Sequence, residues 1–205
     1  MSFLKKDLRK EYRILRKEIL NKEDKEKLII DSLASSDFFR NADCIFLYCA
    51  YDGEINTEAI SEEAERLSIK TAYPFCVDRD GTMEFYFSQR SELKKGMYGI
   101  FEPDRGQCEK ASFSNKSLCI VPGVAFGRKG ERIGFGKGYY DRFLESFNGI
   151  TVGLSFEECL SDSIPMEEHD KKIDYLITDK KIYKFLYGGA IWTIVFILKE
   201  QARTK

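Results

Sequence analysis

The sequence predicts an α/β protein with three layers, in which helices cover both faces of an open, mostly parallel sheet. Short apolar segments of strand length alternate along the chain with segments that have the periodicity of a helix. The chain has 205 residues, 43% of them hydrophobic, which is enough to close one core. We therefore expect one domain over residues 1–184, followed by an atypical extension over residues 185–205.

The first 40 residues are predicted to form two helices. The first helix carries apolar residues at every third or fourth position: Leu4, Leu8, Tyr12, Leu15 and Ile19. Ser2 is predicted to cap its N-terminus. Asn21 and Asp24 have the spacing of a capping box, which predicts a second helix that reaches about Phe39.

From Asp43 onward the pattern changes to strands that are separated by helices. Helices are predicted over residues 57–67 and 140–147. The predicted strands cover residues 43–49, 69–75, 83–87, 118–123, 150–154 and 174–178. Ligands of such sheets bind at the carboxyl ends of the strands, so the loops that follow strands are the first candidates for a site.

The C-terminal segment 186–198 is strongly apolar and is predicted to be a last strand or helix packed on the domain. As a helix it would span about 20 Å, against roughly 30 Å of bilayer hydrocarbon. We therefore expect no membrane partner; a membrane contact of this segment is the alternative.

Charge, histidine and cysteine content exclude several functional classes. The 33 basic and 34 acidic residues leave a net charge of −1, so bulk charge does not hold this chain to nucleic acid. A single histidine, His169, excludes a histidine-rich metal site. The N-terminus lacks the apolar core of a signal peptide, and no two of the six cysteines form a C-x-x-C pair. We interpret the cysteines as free thiols of a cytoplasmic protein.

The densest functional signal is VPGVAFGRKGERIGFGKGYYDRF, residues 121–143, between a predicted strand and a predicted helix. Glycine occupies every second position over residues 134–138, so backbone N–H groups can turn toward one point. The helix start, Arg132 and Lys137 add positive charge, which predicts a phosphate cradle. A flexible surface loop is the alternative. A P-loop is excluded because Glu131 stands where that motif needs glycine, and the spacing differs from that of the dinucleotide fingerprint.

Several other charged residues each have two possible roles, one structural and one in ligand binding. Asp141, in the first turn of the helix after the glycines, either complements the helix dipole or holds magnesium beside phosphates. Glu54 follows the first strand and either complements a helix dipole or contacts a ligand. A basic stripe on the first helix is either a solvated face or closes over an anion; it consists of Lys5, Arg9, Arg13 and Arg16.

Taken together, these segments resemble the 5-formyltetrahydrofolate cyclo-ligase family, over about residues 5–182. The matching segments are KKDLR (5–9), DGEINT (52–57), YGIFEP (98–103), the glycine segment (121–143) and EEHDKKIDYLIT (167–178). The resemblance implies a three-layer α/β fold and an enzyme that depends on ATP and magnesium. We expect the enzyme to be a monomer. Such an enzyme converts 5-formyltetrahydrofolate into 5,10-methenyltetrahydrofolate and releases ADP and phosphate.

The resemblance also implies roles for individual residues. Magnesium would be held by Asp141 and Asp170, and the folate would contact Cys49 and Glu54. The residues expected to be catalytic are Lys137, Arg132 and Tyr140. The residues expected to line ATP are Lys5, Lys6, Asp7, Leu8, Arg9, Arg132, Ile133, Gly134, Phe135, Gly136, Lys137, Gly138, Tyr139 and Tyr140.

Two departures from the family and two other functions stay open. Gly127 stands where the family usually has aspartate, which leaves the role of that carboxylate undecided. The segment after about residue 183 matches nothing typical of the family. A sugar-phosphate isomerase or acyl-transfer enzyme on a similar sheet would not bind ATP. A non-catalytic nucleotide-binding protein would bind ATP without turnover.

Overall fold

Seven strands form the central sheet of the structure, a computed structural model that describes residues 2–185. Two smaller sheets lie beside it. The strands are β1 (Cys44–Phe46), β2 (Lys70–Cys76), β3 (Met83–Phe87), β4 (Lys94–Lys95), β5 (Phe101–Glu102), β6 (Leu118–Val121), β7 (Ala125–Gly127), β8 (Arg132–Ile133), β9 (Ile150–Leu154), β10 (Leu160–Ser161), β11 (Tyr175–Ile177) and β12 (Ile182–Lys184). The α-helices are α1 (Ser2–Leu15), α2 (Lys22–Ala34), α3 (Asp37–Arg40), α4 (Glu58–Arg66) and α5 (Tyr139–Ser146).

The central sheet has the strand order β12-β11-β9-β6-β1-β2-β3. The five inner strands run parallel, and only the edge strands β12 and β3 pair antiparallel with their neighbours. The predicted open, mostly parallel sheet is therefore confirmed. The apolar segment 186–198, for which a packed strand or helix was predicted, lies outside the described residues.

Two apolar cores, one on each face of the sheet, give the fold its three layers. Successive side chains of β1 alternate between them: Cys44 and Phe46 belong to one core, and Ile45 to the other. The Ile45 core is covered by α1, α2 and α4, whereas the Phe46 core is covered by α5. Helices therefore lie on both faces, as predicted.

The central sheet reverses its direction of winding between β1 and β6. These two strands are parallel neighbours, yet the next sheet strand after β1 is β2 on one side, and the next after β6 is β9 on the other. The loops that leave adjacent strands in opposite directions open a crevice at their carboxyl ends, which is where open α/β sheets bind ligands.

The N-terminal helices differ from the prediction in their ends. Helix α1 includes Ser2 and ends at Leu15, so Ser2 does not precede the helix as its cap. The predicted capping box is wrong: Asn21 adopts a left-handed conformation (φ 53°) and its side chain makes no capping bond. The second predicted helix is two helices, because the Ser36 hydroxyl accepts a bond from the Phe39 N–H and starts α3.

The glycine segment begins as a hairpin. Strands β7 and β8 pair antiparallel, and β10 pairs with β7 in the same small sheet. This hairpin delivers Arg132 and the following glycines to the crevice. All six cysteines are free thiols, as interpreted from the sequence. Among residues 2–185 we find no helix that is both long enough and apolar enough to cross a membrane.

Candidate active site

The loop of residues 134–138 joins β8 to α5 beside the crevice. Within residues 2–185, the backbone N–H groups of residues 135–138 donate no hydrogen bond. Gly136 adopts φ +97°, and an added Cβ there would lie 3.2 Å from Nη2 of Arg9. Glycine is required at this position by both the conformation and the close approach of Arg9. The loop therefore offers free N–H donors to an anion.

Three cations surround this loop. Nε of Arg9 donates to the Gly134 carbonyl oxygen at 2.7 Å, which ties α1 to the loop. Arg132 lies buried at the base of the loop, with only 4% of its side chain exposed. Lys137 projects from the loop into solvent and forms no ion pair among the described residues. Free N–H groups and three cations together make a site for phosphate groups.

Two ion pairs bring both predicted magnesium ligands to the edge of this site. Nη2 of Arg132 lies 2.7 Å from Oδ1 of Asp141, and Nζ of Lys5 lies 2.5 Å from Oδ2 of Asp170. The Lys171 N–H also donates to Oδ1 of Asp141 at 3.2 Å, so the two aspartate-bearing segments are adjacent. Burial favours the neutral acid of Asp170, but Lys5 and a backbone N–H outweigh it and lower its pKa.

The donor set of these two aspartates fits magnesium. Magnesium binds proteins through one or two carboxylates and completes its shell with phosphate oxygens and water. Asp141 uses only Oδ1 and Asp170 only Oδ2 for their hydrogen bonds within residues 2–185. No cluster of three or more His, Cys, Asp or Glu side chains suited to a metal occurs in that part of the chain. A metal here therefore depends on phosphate oxygens for the rest of its shell.

Glu54 lies buried in the crevice, only 8% exposed. Its Oε2 accepts from the Tyr51 N–H at 3.0 Å, whereas Oε1 is buried without a hydrogen-bond partner among the described residues. Burial raises the pKa of Glu54 to about 7, although the Tyr51 N–H and the Arg16 guanidinium oppose the shift. Glu54 therefore exchanges its proton near neutral pH and has one oxygen available for a ligand.

Cys49, the other predicted folate contact, is buried beside a cation that sequence reasoning missed. Nη1 of Arg90 lies 3.5 Å from its sulfur, and the Arg90 guanidinium also stacks over Phe101 at 4.9 Å. Burial raises the pKa of the Cys49 thiol to about 11, so it is not a nucleophilic thiolate. Arg90 lies 41 residues from Cys49, and no local motif marks this pairing.

Aromatic side chains line the outer part of the site. Phe135 is 41% exposed, and its ring lies 5.7 Å from that of Tyr51, which is also exposed. The hydroxyl of Tyr139 donates to the Asp78 carbonyl oxygen at 2.6 Å. The Tyr140 ring lies 6.0 Å from the Arg132 guanidinium, and its buried hydroxyl has no partner among residues 2–185. Burial raises the pKa of Tyr140 well above its usual value, so the hydroxyl stays protonated.

Four of the predicted ATP-lining residues make no side-chain hydrogen bond or ion pair to the loop within residues 2–185. Lys6 and Asp7 are exposed, and neither side chain has a hydrogen bond or ion pair among the described residues. Leu8 packs on the core, and Ile133 is buried in it. Gly138, another predicted ATP-lining residue, is the N-cap of α5. The first N–H groups of α5 therefore lie directly after the loop, as the predicted helix start requires.

The basic stripe along α1 is only partly solvated. Lys5 and Arg16 are only 8% and 6% exposed, whereas Arg13 is exposed and pairs with Asp52. Nη1 of Arg16 donates to the Gly123 carbonyl oxygen at 3.2 Å, at the carboxyl end of β6. The spacing predicted that these cations share one face of the helix. It did not predict that Arg9 bonds the loop whereas Arg16 bonds Gly123, because those contacts depend on long-range packing.

Glu131 fills the space that Gly127 leaves open. An added Cβ at Gly127 would overlap the Glu131 carboxylate, whose Oε2 accepts from the Lys129 N–H at 2.9 Å. The departure at Gly127 is therefore matched by a carboxylate four residues later, which bonds the same hairpin turn.

We expect Gly127→Asp to lower the free energy of unfolding by about 1–3 kcal/mol, because its side chain collides with the Glu131 carboxylate. The double variant Gly127→Asp with Glu131→Gly should recover most of this loss. Urea unfolding of both single variants and the double variant measures the coupling. Strictly additive effects would show that the two positions do not share this space.

The fold and the site define a class of protein. It is an open α/β sheet whose glycine loop lies at the crevice where the winding of the sheet reverses, between the parallel strands β1 and β6. Residues 2–179 match the model of the 5-formyltetrahydrofolate cyclo-ligase family. The chain belongs to this family and is an enzyme of the ligase class. The family, fold class and enzyme class predicted from the sequence are thereby confirmed.

Individual relatives agree with this assignment. The 5-formyltetrahydrofolate cyclo-ligase of Escherichia coli K12 is 27% identical and aligns over 70% of this chain and 82% of its own. A probable 5-formyltetrahydrofolate cyclo-ligase of Schizosaccharomyces pombe is 31% identical over 64% and 72%. The NMR structure of Aquifex aeolicus 5,10-methenyltetrahydrofolate synthetase has a TM-score of 0.77 at 28% identity, covering 92% of this chain and 96% of that one.

Proposed function

We propose that this chain uses ATP to convert 5-formyltetrahydrofolate into 5,10-methenyltetrahydrofolate, with release of ADP and phosphate. The observation that carries the proposal is the loop of residues 134–138, whose free N–H groups lie among Arg9, Arg132 and Lys137. Such a cradle suits the phosphates of ATP, and family membership supplies the folate substrate. A sugar-phosphate isomerase would not need ATP, so ATP dependence separates the two functions.

The proposed reaction uses ATP to convert the formyl oxygen into a better leaving group. The formyl oxygen of the substrate is a poor leaving group, so it first attacks the γ-phosphorus of ATP, and the bond to ADP breaks. N10 of the folate then attacks the formyl carbon and loses its proton. The ring closes as the carbon–oxygen bond breaks, and phosphate departs with the former formyl oxygen. Phosphoryl transfer needs position and positive charge from the protein rather than a histidine base.

The residues of this chain divide the work as follows. Backbone N–H groups of the loop and Lys137 bind the phosphates and stabilise the charge that develops on them. Buried Arg132 holds Asp141 and adds charge behind the loop, and Tyr140 shields Arg132 from water. A magnesium ion held by Asp141 and Asp170 would neutralise further phosphate charge when bound.

The folate lies, in this proposal, on the crevice side of the loop. Glu54 and Cys49 contact its ring system, and the exposed rings of Tyr51 and Phe135 pack on it. We also propose that residues 1–184 act as a monomer in the cytoplasm on small molecules rather than nucleic acid. Balanced net charge and six free thiols support that part of the proposal.

The decisive experiment mixes purified protein with 5-formyltetrahydrofolate, ATP and magnesium. Near-ultraviolet absorbance should report the methenyl product, and ADP and phosphate should appear in equal amounts with it. Omission of ATP or of magnesium should abolish the signal. Product formation without ATP, or ATP binding without product, would contradict the proposal.

Arg9→Ala should raise KM for ATP about tenfold or more, because Arg9 holds the loop and adds charge beside the phosphates. Arg16→Ala should change KM for ATP less than about twofold, since its guanidinium bonds Gly123 rather than the loop. Steady-state kinetics on the two single variants measures the difference. Equal KM values for ATP would refute the assignment of Arg9 to the phosphate site.

Glu54 should make stability depend on pH near neutrality. Its folded pKa of about 7 lies above the ordinary value of 4.5, so the folded state favours the protonated acid. The associated stability is complete below about pH 4.5 and is lost as the pH rises through 7, on the order of 3 kcal/mol in all. Urea unfolding between about pH 5 and pH 8 should show this decline in wild type and a flatter profile in Glu54→Gln. Parallel profiles would contradict it.

A further inference from the structure

Arg16 is a buried cation whose role the phosphate site does not explain. Its guanidinium makes one hydrogen bond, to the Gly123 carbonyl oxygen, and its Nε and Nη2 are buried without partners among residues 2–185. Buried polar groups almost always have partners, and a buried guanidinium without them is costly. Its unused donors therefore point to a ligand.

These donors and the unused oxygen of Glu54 face the same cleft. Arg16 and Glu54 line a small cavity at the carboxyl ends of β1 and β6, together with Tyr48, Ser155 and Phe156. The cavity has a volume of about 10 Å³, which is room for roughly one water-sized group. No residue of the loop 134–138 lines it, so it is separate from the phosphate cradle.

The free hydrogen-bond donors and acceptors of the cleft determine which ligand group can bind there. Its unpartnered charged acceptor among the described residues is Oε1 of Glu54, because Oε2 is taken by the Tyr51 N–H. Its unpartnered charged donors in that part of the chain are Nε and Nη2 of Arg16, which lines the same cavity. The complement is a group with one N–H and one C=O side by side on a single edge, which is a cyclic amide, or lactam. An open-chain trans amide presents these two groups on opposite sides and does not fit.

We propose that Arg16 is a specificity residue for the folate, which donates to the ring carbonyl oxygen of the pterin lactam while Glu54 accepts from the ring N–H. This inference rests on the proposed function, because the pterin is the part of 5-formyltetrahydrofolate that carries a lactam edge. A cavity of this size admits the carbonyl oxygen alone and leaves the ring and its formyl group outside.

The test compares two ligands on matched variants. Equilibrium titration measures Kd for 5-formyltetrahydrofolate and for its 4-amino analogue, in which an amino group replaces the ring carbonyl oxygen. The proteins are wild type, Arg16→Gln, Arg16→Lys and the control Lys17→Gln, whose side chain is exposed next to Arg16. The 4-amino analogue also loses the ring N–H, but that change is the same for all four proteins. A shift of the Kd ratio between wild type and an Arg16 variant therefore reports the contact that Arg16 makes.

We expect Arg16→Gln to shift this ratio about tenfold or more in favour of the amino analogue. The substitution removes a charged donor that bonds the carbonyl oxygen of 5-formyltetrahydrofolate, and the same donor faces the amino group of the analogue unfavourably. KM for ATP should stay within about twofold, and Lys17→Gln should leave the ratio unchanged. Arg16→Lys keeps the charge and loses the planar fork, and it should shift the ratio in the same direction. It provides the comparison if the glutamine variant does not fold.

An unchanged ratio in a folded Arg16 variant would overturn the inference, even if both ligands bind more weakly, since equal weakening marks a structural role. Failure of the proposed function looks different. In that case wild type gives no methenyl product with ATP and magnesium. An active wild type with an unchanged ratio refutes the role of Arg16 alone.

Discussion

Lys137→Ala should lower kcat/KM for ATP by about 100- to 1,000-fold, the usual effect of removing a single group that stabilises transition-state charge. Lys137 lies one residue past the middle of the loop 134–138, its side chain is exposed, and no carboxylate among the described residues neutralises it. Its full charge is therefore available to phosphate oxygens. Because the side chain buries little surface, the thermal midpoint should stay close to that of wild type.

Steady-state kinetics with ATP and folate varied in turn separates the two substrates. We expect KM for 5-formyltetrahydrofolate to change little, since the lysine serves the phosphates. Lys129→Ala is the matched control: Lys129 is exposed in the preceding hairpin turn, and its removal should leave both constants unchanged. If Lys137→Ala keeps the wild-type kcat/KM for ATP, the loop binds something other than the transferred phosphate.

The parts of the fold that depend on local pattern were predictable. The short apolar run over residues 43–49 predicted β1, and helical spacing predicted α4 and α5. The mostly parallel sheet followed from the alternation of strands and helices along the chain. The ends of α1 and α2 were not predictable in this way. Asn21 has a side chain that can cap a helix, but its left-handed backbone prevents the capping bond. Side-chain type sets what a cap can do, whereas the turn geometry decides whether it does so.

The candidate site divides in the same way. The loop 134–138 was predictable because glycine spacing and its position between a strand and a helix are local. The partners of Arg16 and Arg90 were not, because these contacts join residues 107 and 41 positions apart in the chain. The Tyr51 N–H lies only three residues from Glu54, which is within reach of a local motif.

Burial was the property that sequence reasoning misjudged most. Arg16 continues a charged stripe, and such stripes usually face water. It is buried here because α1 docks along its apolar face, so residues on the border of that face are covered too. The same covering raises the pKa of Glu54 and leaves unpaired polar atoms in the crevice. These are properties of packing, and they mark the parts of the site that a list of motifs does not contain.

Asp141→Asn should abolish magnesium-dependent stimulation, lower turnover by about 100-fold or more, and also destabilise the fold. Asp141 is the counter-ion of Arg132, whose side chain is only 4% exposed, so a neutral partner leaves a buried charge uncompensated. The amide oxygen of asparagine still accepts from Arg132. We therefore expect the free energy of unfolding to fall by about 1–3 kcal/mol rather than by the full cost of breaking a buried pair.

Thermal unfolding and turnover as a function of magnesium concentration measure the two effects of Asp141→Asn separately. Asp162→Asn is the control, because the Asp162 side chain is 97% exposed and its pairing with Arg128 is a surface contact. It should change stability by less than about 0.5 kcal/mol and leave magnesium dependence intact. Asp170→Asn should reproduce the loss of magnesium dependence, since its carboxylate belongs to the adjacent segment. If Asp141→Asn is destabilised but keeps the wild-type response to magnesium, then Asp141 serves Arg132 alone and the metal lies elsewhere.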